Sequence, residues 1–123
     1  MKLTLAIGLG SFIGGVFRYL LSQAIHAKFL STFPFGTLAV NIIGCLFIGI
    51  VFELNAKGTI TQEWRLFLAT GILGGFTTFS AFSNETVGLL RDGQIWYASI
   101  YVIASVLIGL VCTFIGMTFV KLF

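Results

Sequence analysis

Residues 71–85 read GILGGFTTFSAFSNE and lie inside an apolar stretch, although they are unlike the sequence of an ordinary membrane helix. The adjacent glycines Gly74 and Gly75 and the β-branched pair Thr77 and Thr78 all weaken helical hydrogen bonding. In hydrocarbon, a backbone carbonyl that is released from a helix must be received by protein or by a water-filled cavity. We therefore predict a third helix that is broken mid-membrane, with an ion site at the break.

Two phenylalanines follow the predicted break. Phe79 and Phe82 are three residues apart, so their side chains share a face if the helix resumes there. The edges of aromatic rings carry partial positive charge. The stretch thus combines carbonyls that can hold a cation with ring edges that can meet an anion, and this combination indicates a pore. The alternative is that both rings only pack or contact lipid, as most aromatic side chains would in a chain with 14 phenylalanines.

The composition places the whole chain in a lipid bilayer. Of its 123 residues, 58% are hydrophobic and 9% are charged, and its mean hydropathy is +1.07. Soluble domains carry about 25% charged residues. Apolar runs near the roughly 20 residues that cross hydrocarbon occur four times, over about 3–25, 35–53, 65–90 and 96–120. We predict an all-α membrane protein in which residues 1–123 form one domain of four transmembrane helices.

Several classes of function are excluded by the residues that the chain lacks. Its single His and two Cys form no metal-binding cluster, and neither a phosphate-binding loop nor a nucleophile beside a base is present. The seven Lys and Arg residues are scattered singly rather than clustered in a basic patch, which does not favour a nucleic-acid partner. We therefore expect that the protein is not an enzyme.

The basic residues at the two membrane faces are nearly balanced in number. With both termini on one side, that side holds Lys2, Lys57, Arg65 and Lys121, and the other holds Lys28 and Arg91, joined by Arg18 if its side chain extends that way. Membrane orientation follows an excess of Lys and Arg in the loops. The small difference predicts dual topology, in which the chain inserts both ways round. Because four short helices enclose little aqueous path, we predict an antiparallel homodimer.

Two other spans carry polar side chains that an ion path could use. Asn41 is the only strongly polar residue of the second span before Glu53, and its amide hydrogens are donors that can replace water around a small anion. The alternative is that Asn41 bonds a neighbouring helix. The fourth span carries a stripe at four-residue intervals, formed by Tyr101, Ser105, Gly109 and Thr113. The hydroxyls of this stripe have the alternative of bonding carbonyls of their own helix.

The first span combines small residues with one charge. Gly10, Gly14 and Gly15 form a face on which another helix can approach closely. Arg18 follows this face and could raise the local anion concentration at a pore mouth. Its alternative is to extend its side chain to the membrane surface. In the third span, Glu85 is expected to cap a helix or pair with a basic residue, because a carboxylate in the path would repel an anion.

Three segments resemble a known family, the small dual-topology fluoride channels called Fluc or CrcB-type. The segments are GGVFRY at 14–19, PFGTLAVN at 34–41 and GGFTTFSAFS at 74–83, and the similarity runs through most of the chain. The resemblance implies a passive, fluoride-selective channel in the cytoplasmic (inner) membrane that releases fluoride from the cell. It also implies an antiparallel homodimer with two pores.

The resemblance also implies roles for individual residues. The backbone carbonyls of Gly74 and Thr77 from both subunits would hold a structural sodium ion (Na+) at the dimer interface. The fluoride pathway would be formed by Asn41, Phe79, Phe82, Tyr101, Ser105 and Thr113. Two positions depart from the family pattern, because Ala81 stands where a hydroxyl is common and Gly109 where serine is common.

Two rival functions remain compatible with this length and span count. A small multidrug or cation exporter can share dual topology, but it works through a carboxylate buried in a span. Only Glu53 and Glu85 are candidates for that carboxylate here. A membrane assembly subunit without transport of its own would need only the glycine faces.

Overall fold

The computed structural model describes all 123 residues and contains helices but no strand. Helix α1 spans Lys2–Lys28, α2 spans Phe35–Ala56, and the last helix, α6, spans Ile95–Lys121. Together with the interrupted segment Gln62–Arg91, these are four helices that are long and apolar enough to cross a membrane. The predicted all-helical chain with four membrane-crossing segments is confirmed.

The third span consists of four short helical pieces. Helix α3 (Gln62–Arg65) leads into a π-helical segment, Leu66–Leu73, which is followed by α4 (Gly74–Phe76) and, after two residues, by α5 (Phe79–Arg91). A π-helix is wider than an α-helix and is common near functional sites. Two changes of helical form and one break within a single span agree with the low helical propensity of its glycines and threonines.

The interruption predicted near the middle of the third span is present at Thr77 and Thr78. Both residues have extended backbones, with φ −87° and ψ 156° at Thr77 and φ −149° and ψ 116° at Thr78. The Thr77 N–H and its hydroxyl both donate to the Leu73 carbonyl oxygen at 2.9 Å, which closes the first half of the span. The Thr78 hydroxyl then accepts from the Ala81 N–H at 3.2 Å and caps the N-terminus of α5.

Glycines allow the third span to lie directly against α1. A Cβ atom built at Gly14 would overlap the Ile72 carbonyl oxygen, and one at Gly10 would lie 3.0 Å from Gly71 Cα. Gly15 takes no part in this contact, because the nearest atom to its Cβ position is the Arg18 Nη2 atom at 4.0 Å. The predicted glycine face is therefore formed by two of the three glycines, since Gly15 lies on another side of α1.

Helices α2 and α6 pack on each other by the same means. A Cβ atom at Gly49 of α2 would overlap the Thr113 carbonyl oxygen, and one at Gly116 of α6 would overlap that of Leu46. Such close backbone approach is how membrane helices gain packing energy without a hydrophobic driving force. The pair brings the polar stripe of α6 beside α2 and sets the position of the candidate site.

Candidate functional site

A cavity of about 360 Å³ lies beside the break, between α2, the third span and α6. Six of the nine residues predicted for ion binding line it, namely Asn41, Gly74, Thr77, Phe79, Phe82 and Ser105. Arg18, Tyr101 and Thr113 lie outside its wall. The chain thus gathers polar groups from the second, third and fourth spans around one opening.

Asn41 makes the closest polar contact with the break. Its Oδ1 atom accepts a hydrogen bond from the Thr78 N–H at 2.8 Å, and its Nδ2 atom donates to the Thr78 carbonyl oxygen at 3.1 Å. The side-chain amide therefore pairs with both polar groups of one residue, as a neighbouring strand would. One Nδ2 hydrogen is used in this pairing, and an amide has two. Asn41 can therefore bond the third span, as its alternative role requires, and still offer one amide hydrogen to an anion.

Arg18 reaches the break from α1. Its Nε atom donates to the Gly75 carbonyl oxygen at 3.1 Å, and the residue is only partly exposed. Its side chain is anchored at the break rather than extended freely to the membrane surface. The sequence offered no signal for this partner, because the two residues are 57 positions apart.

Two carbonyl groups at the break lack the partners that a continuous helix would provide. The Thr77 carbonyl oxygen accepts no hydrogen bond from the chain. Gly74 loses its usual donor four residues later, because the Thr78 N–H is directed to Asn41. Freed carbonyl oxygens of this kind are suitable ligands for a hard cation.

The two phenylalanines of α5 differ in their surroundings. Phe79 is 79% exposed, whereas Phe82 packs against the buried cluster that contains Leu89 and Tyr101. The centroids of the two phenyl rings are 5.5 Å apart, and that of Phe82 is 5.1 Å from that of Tyr101. Phe82 thus has a fixed ring beside the cavity, and Phe79 presents most of its surface outward from the subunit.

Glu85 is a site residue whose partners the sequence did not reveal. Its carboxylate accepts hydrogen bonds from the Thr37 hydroxyl at 2.7 Å and from the Tyr101 hydroxyl at 2.6 Å. The expectation that Glu85 caps a helix or pairs with a basic residue is wrong, because its side-chain partners are these two hydroxyls. Glu85 also lines a second, mostly polar cavity of about 190 Å³ with His26 and Thr37.

The two hydroxyls further along α6 have different environments. The Ser105 Oγ atom is buried without a hydrogen-bond partner and lies on the wall of the larger cavity. The Thr113 hydroxyl lies 3.0 Å from the Cys45 carbonyl oxygen and 3.1 Å from that of Gly109. The Thr113 hydroxyl therefore donates to a backbone carbonyl, in agreement with the alternative stated for it. The Ser105 hydroxyl does not.

Comparison with known proteins gives a consistent result over nearly the full chain. Residues 5–117 match the family described as CrcB-like protein, Camphor Resistance (CrcB). A protein of Chlorobium phaeobacteroides is 45% identical over 96% of this chain and 92% of its own length. Proteins of Chlorobaculum tepidum and Geobacter sulfurreducens are 48% and 49% identical, over 99% and 94% of this chain and 97% and 94% of their own lengths. Each of the three bears the name fluoride-specific ion channel FluC.

Proposed function

This chain belongs to the CrcB-like family of fluoride-specific ion channels, and we propose that fluoride crosses the subunit through the cavity beside the break. It is a multi-pass membrane protein and a passive channel rather than an enzyme. The observation that carries the proposed route is that Asn41, Phe79, Phe82 and Ser105 line one cavity. In a bacterial cytoplasmic membrane, this route would release fluoride from the cell.

Neutral donors around the cavity suit a small and strongly hydrated anion. Asn41 retains one amide hydrogen, and the Ser105 hydroxyl has no partner within the protein. The ring edges of Phe79 and Phe82 add weaker positive partial charge. Such groups replace part of the hydration shell, yet they hold the ion loosely enough for it to leave.

Tyr101 and Thr113 have a more limited part in this pathway. The hydroxyl hydrogens of both residues are directed to protein acceptors, Glu85 for Tyr101 and backbone carbonyls for Thr113. Each side chain must turn from its partner before it can donate to fluoride. Of the three α6 hydroxyls, we propose that Ser105 donates to fluoride directly. Tyr101 and Thr113 donate only after their side chains have rotated.

The proposed functional unit is an antiparallel homodimer with two pores. Its support is α5, where Ser80, Asn84 and most of Phe79 are exposed although they belong to a membrane-crossing segment. Lipid tails offer no hydrogen-bond partners to such groups. A second copy in the opposite orientation would cover the same face by two-fold symmetry, and each copy would bring its own cavity.

The same dimer would hold a structural sodium ion. The Thr77 carbonyl oxygen accepts no hydrogen bond, and the Gly74 carbonyl oxygen has lost its helical donor. Oxygen donors without a negative charge fit a monovalent hard cation, so the residues present fit the ion. When bound, sodium supplies positive charge that compensates these carbonyl dipoles at the junction of two subunits.

The proposed conduction is tested by fluoride efflux. Liposomes that carry purified protein are expected to release fluoride, measured with a fluoride electrode, at least about ten times faster than chloride, a difference of about 1.4 kcal/mol. Liposomes without protein serve as the control. Equal rates for the two anions would contradict the selectivity assigned to this cavity.

Removal of sodium tests the proposed central ion. Exchange of sodium for N-methylglucamine is expected to lower fluoride efflux at least about tenfold and to convert dimer to monomer, since a ligand that binds only the assembled form stabilises it. Size-exclusion chromatography and the efflux assay measure the two effects. Full activity and an intact dimer in sodium-free buffer would overturn this part of the proposal.

A further inference from the structure

We infer that Arg18 and Asn41 are positioning residues that hold the third span broken by bonding the backbone groups that the break releases. The inference rests on the proposed function in one respect. It states that these side chains orient the Gly74 and Thr77 carbonyls, which are the proposed sodium ligands. It assigns Asn41 a second role beside fluoride contact, and it assigns Arg18 a role other than the pore-mouth role, which stays a prediction.

The Asn41 pairing is the first argument. An interrupted helix leaves N–H and C=O groups without partners, and each buried group left unpaired is destabilising. Asn41 bonds both the N–H and the C=O of Thr78, at 2.8 and 3.1 Å. These two bonds fix the plane of the Thr78 peptide groups and keep the Thr78 N–H away from the Gly74 carbonyl oxygen. Without Asn41, the N–H and the carbonyl oxygen of Thr78 would both lose their partner.

The Arg18 contact is the second argument, and it is independent of the first. In a continuous helix, the Gly75 carbonyl oxygen would accept from the N–H of residue 79. The extended backbone at Thr77 and Thr78 removes that geometry, and the Arg18 Nε atom donates to Gly75 at 3.1 Å instead. Arg18 therefore acts on the structure of the break through one N–H group.

Helices α1 and α2 pack closely against the break. A Cβ atom at Gly44 of α2 would overlap the Thr77 Cγ2 atom, and one at Gly75 would overlap the Ser11 carbonyl oxygen of α1. Helices α1 and α2 thus approach the break from two sides, and each also supplies one of the two bonding side chains. The contacts that we assign to holding the break are thus made within one subunit.

Two substitutions at Arg18 separate a positioning role from an electrostatic one. In Arg18→Gln, the amide nitrogen stands as many bonds from Cα as Nε does, so the donor is kept and the charge is lost. In Arg18→Lys, the charge is kept and a carbon atom occupies that place. We expect Arg18→Gln to retain fluoride efflux within about threefold of wild type and Arg18→Lys to lose at least about tenfold. The reverse order would show that charge matters and would overturn the inference for Arg18.

The role of Asn41 is tested by amide exchange at Thr78, which does not depend on ion flow. In ¹⁵N-labelled protein in detergent micelles, Asn41→Leu is expected to speed exchange of the Thr78 N–H by about 100-fold, because its acceptor is gone. Asn41→Asp keeps that acceptor and should change the rate less than about tenfold. Thr118→Val is the matched control, since it removes a hydroxyl bond to the Phe114 carbonyl oxygen far from the break.

The outcomes distinguish this inference from the proposed function. Unchanged Thr78 exchange in Asn41→Leu would overturn the positioning role even if sodium and fluoride act as proposed. Conversely, wild-type efflux that does not depend on sodium would contradict the proposed cation site. The exchange rate of the Thr78 N–H would then still test the positioning role of Asn41.

Discussion

Replacement of Gly14 by alanine is expected to prevent assembly of a stable subunit. The added Cβ atom would overlap the Ile72 carbonyl oxygen and lie 2.8 Å from the Phe76 nitrogen. Both are backbone atoms, which cannot rotate away as a side chain can. The third span would have to move away from α1 as a body, and overpacking of this kind costs about 1–3 kcal/mol or more. The same shift would pull Gly75 away from Arg18.

Thermal unfolding followed by size-exclusion chromatography, together with fluoride efflux, measures this effect. Gly8→Ala is the matched control on the same helix, because no atom from another part of the chain lies within 4 Å of its Cβ position. That variant should be as stable as wild type or more stable by up to about 1 kcal/mol, since alanine favours a helix over glycine. A Gly14→Ala protein with wild-type stability and efflux would mean that α1 and the third span can separate without loss, contrary to the packing described above.

Phe82→Ile is expected to lower fluoride efflux at least about tenfold, equivalent to about 1.4 kcal/mol, while the dimer stays intact. Isoleucine retains an apolar side chain against Tyr101 and Leu89, so the packed cluster survives. It has no ring edge, and the positive partial charge that faces the cavity is lost. The effect should therefore appear in the efflux rate and not in the elution volume on size exclusion.

A control for this experiment is Phe114→Ile. Phe114 is 70% exposed on α6 and lines none of the cavities described here, so its replacement should leave efflux unchanged. If Phe82→Ile and Phe114→Ile both conduct at the wild-type rate, the Phe82 ring only packs, which is the alternative that the sequence left open. Loss of the dimer in Phe82→Ile would instead assign the ring to the stability of α5.

The fold could be predicted from local properties of the chain. Four apolar runs of membrane-crossing length dictate four helices, because backbone groups in hydrocarbon must be satisfied within the segment. The stretch around Gly74, Gly75, Thr77 and Thr78 located the interruption, since low helical propensity acts on the residues that carry it. The function came from the resemblance to a known family. Relatives named as fluoride channels, which align with 94–99% of the chain, support it.

The sequence by itself determined where helices form, where the third one stops and which side chains are polar within the membrane. The tertiary structure decided which partner each polar group has: Thr78 for Asn41, Gly75 for Arg18, and the hydroxyls of Thr37 and Tyr101 for Glu85. The physical reason is that helical propensity and hydropathy are properties of neighbouring residues, whereas a hydrogen-bond partner 16 to 57 positions away depends on how closely glycine faces let the helices approach.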